Sequence, residues 1–189
     1  MDTELKERSF LAQQESQGGW LLQALRLRAV AARIDWKTQP PRDDEPTVSF
    51  LAEYHMLLGL AFESLLKGFI TLVRLERQLL PPLPRECHVH RLEDLISRAE
   101  CAELALSETE TEILARLSPF IEWAGRYPVP KRSSEMIPVH SSNREREVEQ
   151  ELWERLALLF NERAWVMKGG PESMGGSKLY MKRRTLPET

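Results

Sequence analysis

Cysteine occurs only twice in the 189 residues, as Cys87 and Cys101, too few for the disulfide framework of a small secreted fold, so a reducing cytoplasm is the expected compartment. No uninterrupted apolar run approaches the ~18 residues of a membrane span. The amino-terminal MDTELKERSF is polar and acidic, without the apolar core of a secretion signal. An excess of one charge is also missing. With a net charge of −3 the chain as a whole carries no electrostatic footprint for nucleic acid, and any such contact has to come from a local patch. No segment alternates apolar and polar residues over a strand's length, and no internal repeat is visible. What is present is an ordinary 42% hydrophobic and 29% charged content, enough for one domain with a substantial core and a solvated surface.

Twelve prolines, most of them clustered at 38–47, 80–86 and 127–138, divide the chain into segments of helical period. WLLQALRLRAVAARI places Leu21, Leu25, Ala29 and Ala32 along one stripe, and Gly18-Gly19 is expected to separate it from a shorter polar helix starting near Thr3. The segment from about 48 to 80 is the longest. Phe50, Tyr54, Leu57, Leu58, Ala61, Leu65, Phe69 and Leu72 follow the i, i+3, i+4, i+7 rule, and further apolar residues leave only a narrow polar strip. A helix this apolar belongs at the centre of a bundle. SETE at 107–110 is a capping box that opens a helix carrying Ile113, Leu114, Leu117, Phe120, Ile121 and Ala124. A last helix is expected over roughly 142–166. Short connections between long amphipathic helices predict an all-α, up-and-down bundle of about five to six helices. It would form one domain over 1–166, followed by a glycine-rich, then basic tail at 167–189 that shows no helical period and is expected to be flexible.

PRECHVHRLEDLISRAE, at 84–100, concentrates a cysteine, two histidines and three arginines. Downstream, Leu92, Leu95, Ile96 and Ala99 share a face, so a helix is expected to begin near His90 or Arg91, with Glu93 and Asp94 at the positive end of its dipole and Arg98 near its close. A zinc site would recruit Cys87, His88, His90 and Cys101. Adjacent Cys87 and His88 do not easily share one tetrahedral centre, and the spacing matches no familiar module, so no metal is expected. A nucleophilic Cys-His pair needs a positioned third group, and none is suggested. The favoured reading is a histidine that orders a helix start, with one thiol half-buried.

Three elements stand in order: a buried helix LLGLAFESLLKGFI, a proline-bounded loop into HRLEDLISRAE, and a capped helix ending ILARLSPFIEWAGRYPVP. This succession, over about 48–165, resembles the HEPN family, the higher-eukaryote and prokaryote nucleotide-binding domains. The matching positions are Glu63 and Lys67, then His90, Leu92 and Leu95, then Arg126, Tyr127 and Pro128. The resemblance implies an all-α bundle, often a symmetric homodimer with a cleft between subunits. It also implies one of two functions: a metal-independent endoribonuclease of toxin–antitoxin, phage-defence or RNA-processing systems, or a module binding nucleotide, RNA or protein, often beside a nucleotidyltransferase or an antitoxin.

The nuclease class carries Arg-x4–6-His late in the domain, because the chemistry needs a cation for the phosphate and an imidazole to move a proton. Arg126 stands in that place, but the next positions are Tyr127, Pro128, Val129, Pro130, Lys131, Arg132 and Ser133, and the next histidine is His140. Lys131 suits a phosphate, whereas an ordinary lysine accepts no proton at neutral pH. Arg85-x4-His90 has the right spacing in a different element. The expectation is therefore a cofactor-free binding or interaction module, without the intact nuclease motif, whose ligand-binding residues are Glu63, Lys67, Arg126, Tyr127 and Lys131. The alternative is a ribonuclease using Arg126 with a displaced histidine, His140 or His90. Glu63 and Lys67, one turn apart in acid-before-base order, either face a dimer cleft or form a plain solvated pair. Arg126, Lys131 and Arg132 beside Tyr127 and Trp123 suit phosphate and base stacking, and equally suit closing the end of a helix. Trp153 and Trp165 are read as one subunit contact and one core residue.

Overall fold

The computed structural model describes residues 16–34, 50–124 and 142–164. Helix accounts for 79% of them, and no strand occurs among them. Arg126, Tyr127, Lys131, His140, Trp165 and the 167–189 tail lie outside the described residues, as does the polar segment near Thr3.

Helix α1 spans Gln17–Ala31. Gly18 and Gly19, expected to break the chain, instead sit in its first turn, because the Ser16 hydroxyl caps the helix by accepting from the Gly19 amide at 3.1 Å. The buried stripe runs through Leu21, Ala24 and Ala31, while Leu25 is 45% exposed, so the face is rotated from the expected one.

Helix α2, Leu51–Glu76, is the axis of the bundle and is buried almost all round. Two glycines allow that. A Cβ on Gly59 would stand 2.7 Å from the Ile121 side chain, and one on Gly68 would stand 2.6 Å from the Phe160 ring. By length and composition α2 also suits a membrane span, with a mean hydropathy of 1.7, but 83% of that window is buried inside the bundle. Its carboxyl end closes in a Schellman motif. Leu79 donates to the Arg74 carbonyl and Gln78 to that of Leu75, with Gln78 in the left-handed region at φ 56°.

A 3-10 turn at Arg85–Cys87 leads to α3, Leu92–Ile96, which is shorter than the sequence suggests. The Ser97 hydroxyl donates to the Asp94 carbonyl, and Arg98 turns extended to open a second 3-10 segment, Ala99–Leu104, so Arg98 precedes that segment and does not close α3. Arg98 and Arg74 both reach the buried Glu100.

Helix α4, Glu108–Pro119, starts at the expected capping box, Ser107 with Glu110. The expected continuous helix to Ala124 instead changes to a π turn over Phe120–Ala124. Pro119 has no amide hydrogen to give the preceding turn, and the winding loosens there. Helix α5, Asn143–Arg163, opens with a second capping box, Ser142 with Glu145. It packs Leu152, Leu156 and Phe160 into the core, and Trp153 meets Phe62 edge-to-face at 5.5 Å. Trp153 is thus the core residue of the two tryptophans.

Candidate functional site

The middle of α2 carries two charged side chains where an apolar helix would be expected to have none. Glu63 and Lys67 are 7% and 6% exposed, so they are neither a solvated pair nor an open polar strip. The Lys67 ammonium donates to Glu63 Oε1 at 2.6 Å, which satisfies each buried charge with its partner one turn away. The second carboxylate oxygen, Oε2, lies 3.0 Å from His90 Nδ1. A carboxylate only accepts, so this contact places the imidazole proton on Nδ1 and leaves Nε2 as the other ring position.

The loop that presents His90 is pinned on both sides. Before it, Cys87 is fully buried; after it, Leu92 and Leu95 are fully buried. The Leu92 amide donates to the Ser118 hydroxyl at 2.8 Å, and Ser118 in turn donates to Glu93, which ties the start of α3 to α4. Arg91 reaches Glu122 of the π turn at 3.4 Å. His90 therefore orders its loop by crossing to α2, while the cap position itself belongs to Arg91. Its side chain stays 58% exposed. Arg85, His88 and Arg91 are exposed beside it in sequence, and neither Arg85 nor His88 has an ion-pair partner among the described residues.

Both thiols are buried, where one was expected to be half-exposed. Burial pushes Cys87 up and Cys101 up to about 12, so neither supplies a thiolate nucleophile at neutral pH. No group of three or more metal-binding side chains occurs among the described residues.

A second polar cluster escaped the sequence reading. Glu149 on α5 is 1% exposed, accepts from Arg116 at 2.8 Å and from the Tyr54 hydroxyl at 3.4 Å, and lies 4.0 Å from Nε2 of the fully buried His55. Arg116 also donates to Glu145, and Arg28 of α1 donates to Gln150. Burial holds the Glu149 carboxyl above its ordinary range despite Arg116, and raises the Tyr54 phenol as well. The only sequence signal for it was the pair of acids one turn apart, Glu145 and Glu149; Arg116, which they meet, is brought there by the fold. This cluster cross-links α1, α2, α4 and α5 from inside. A cavity of about 330 Å³ opens beside it between α4 and α5, lined by Thr109, Glu112, Arg116, Arg144 and Glu145. Charges of both signs line that cavity, and each Arg116 contact is already made within the bundle.

Of the residues singled out in the sequence, the fold brings Glu63, Lys67 and His90 into one contact chain from the core to the surface. Arg126, Tyr127, Lys131 and His140 are not among the described residues. The last described turn before Arg126, Phe120–Ala124, is the one tied to the His90 loop through Glu122 and Arg91. No protein-family model matches the chain, and no curated protein and no solved structure matches it.

Proposed function

We propose that the chain is a HEPN-like binding module that takes a phosphodiester ligand, RNA, on the surface around His90, in a toxin–antitoxin or defence setting where a partner such as an antitoxin or nucleotidyltransferase supplies or controls the chemistry. The observation that carries this reading is the Glu63 carboxylate shared by Lys67 and His90. Lys67 cancels the carboxylate's charge inside the bundle, so the acid that fixes His90 does not repel an anion outside it. The exposed Arg85 and His88 supply a cation and a hydrogen-bonding group for phosphate oxygens, beside Arg91, which already reaches Glu122. Arg126, Tyr127 and Lys131 complete the reading from the sequence, and a homodimer with a shared cleft belongs to it as well.

The test is fluorescence anisotropy of labelled single-stranded and structured RNA in EDTA, with Arg85→Ala and Arg126→Ala beside the wild type. Binding that weakens in both variants without cleavage supports the module. RNA that does not bind, or that binds equally to all three proteins, overturns it.

One observation favours a second reading. A carboxylate holding an imidazole in one tautomer is the arrangement of a proton acceptor. A metal-independent ribonuclease using Arg126 and His90 predicts cleavage in EDTA that disappears in both Arg126→Ala and His90→Ala.

A further inference from the structure

Helix α1 is apolar on two sides. Leu21, Ala24 and Ala31 pack into the bundle. Leu22, Leu25, Ala29 and Ala32 run along another side at spacings of three, four and three residues, the repeat of a coiled-coil seam. Leu25 is 45% exposed, Ala29 and Ala32 are exposed as well, and Leu22 is half-buried. A helix that is apolar on more than one side is normally covered on more than one side, and the bundle leaves this seam open.

The two edges of the seam differ in charge. On one edge stand Arg26 and Arg33, one heptad apart and both exposed, and α1 carries no carboxylate. Glu53, in the first turn of α2, is exposed, and counting it against the two arginines leaves this edge positive. On the other edge Arg28 crosses to Gln150 of α5, and Gln150 donates to Glu154. Helix α5 therefore borders the seam there, and its outward side presents Glu147, Glu151 and Glu154, followed by Leu158 at 43% exposure. Arg155 is engaged with Glu110, and Arg146 stands with the buried Glu149 around Tyr54. Counting Arg28 and Arg144 against the three carboxylates leaves this edge negative.

An apolar seam between a basic and an acidic edge is complementary to itself. Pairing two copies about a two-fold axis along the seam, with the α1 helices parallel, sets the basic edge of each against the acidic edge of the other. Antiparallel pairing sets basic against basic, which disfavours it. We propose that α1 is a contact between two copies of this chain. They pair in parallel through Leu22, Leu25, Ala29 and Ala32, with Arg26 and Arg33 of each reaching the partner's Glu147 and Glu151. The proposal adds to the homodimer of the reading above the face on which the copies meet, and none of its residues belongs to the 85–91 surface.

Sedimentation equilibrium of the full chain at tens of micromolar measures the pairing. The wild type is expected to be a dimer. Leu25→Glu, at a site already 45% exposed in one copy, is expected to pair at least about tenfold more weakly while keeping its helical circular dichroism. Arg26→Glu with Arg33→Glu is expected to weaken pairing as well, and adding Glu147→Arg with Glu151→Arg to restore it. Ala29→Cys reads the orientation. A parallel pair sets each new thiol beside its copy, so mild oxidation is expected to give a disulfide-linked dimer, the native Cys87 and Cys101 being buried. A wild type that stays monomeric, or a dimer that Leu25→Glu leaves intact, overturns the proposal. A dimer that Leu25→Glu breaks but that gives no cross-link at Ala29 overturns the parallel arrangement. RNA has no part in these readouts, so the Arg85 and Arg126 test of the binding reading stands or falls separately.

Discussion

Glu63 and His90 are 27 residues apart in sequence, and their side chains meet at 3.0 Å, joining the most buried helix of the bundle to an exposed loop. Only because Lys67 takes the other carboxylate oxygen can an acid be held at that depth. The arrangement makes the loop's geometry depend on an ion pair inside the core.

That dependence is testable by a double-mutant cycle. Glu63→Leu strands the Lys67 ammonium at 6% exposure and is expected to destabilise the fold by roughly 3–5 kcal/mol in urea titration. Adding Lys67→Met should restore most of the loss, since an apolar pair of similar volume suits the site. Equal stability of the Glu63→Leu protein and the wild type would show that the pair is not desolvated as described.

Gln78 closes α2 with φ 56°, a conformation that a side chain disfavours. Gln78→Gly is expected to stabilise the protein by about 1 kcal/mol, read as a raised urea midpoint at unchanged slope. A fall in the midpoint would place the Schellman turn elsewhere.

At Gly68 α2 packs tightly against two neighbours, with the Phe160 ring and Trp20 Cβ both within 2.7 Å of where a Cβ would stand. Both contacts belong to packed rings or main-chain-proximal atoms, so neither can swing away. Gly68→Ala is expected to cost about 1–3 kcal/mol by overpacking. Thermal unfolding checks it, and an unchanged melting temperature contradicts the packing of α1 and α5 against α2.

The pH dependence of stability carries two opposite signs. Against the cost of its burial, the Ser107 amide and then Arg155 hold Glu110 below its ordinary value, and the Ser142 amide with Arg116 does the same for Glu145. Their contribution is present above the unfolded carboxylate value of 4.5 and is lost as pH falls through the lower folded values. Glu149 runs the other way. Burial raises it, so its contribution is present below 4.5 and is lost as pH rises through the folded value. Glu149→Gln should therefore gain in melting temperature relative to the wild type as pH goes from acid to neutral. A gain that shrinks over that interval would contradict the buried environment of Glu149.

The helices were legible because Leu58, Ala61, Leu65, Phe69 and Leu72 repeat on one face, and because Ser107 and Glu110 announce a helix start in three residues. Local exceptions were not. Ser16 turned two glycines into a first turn, and Pro119 unwound α4 into a π turn without ending it. Glu63 and Lys67 could be read as a pair, yet their burial depends on four helices packing around α2. The His90 contact is tertiary, and so is that of His55 with Glu149, whose residues are on α2 and α5. Sequence periodicity reports which face of a helix is apolar and cannot report which polar groups two helices bring together.

Where a ligand meets this protein is measured directly by backbone and histidine side-chain NMR during titration with a short single-stranded RNA in EDTA. The largest shifts are expected on residues 85–91, with His90 Nε2 shifting more than Nδ1 and with smaller shifts at Glu63 and Lys67. Shifts centred on the cavity between α4 and α5, or none at saturating RNA, would contradict it.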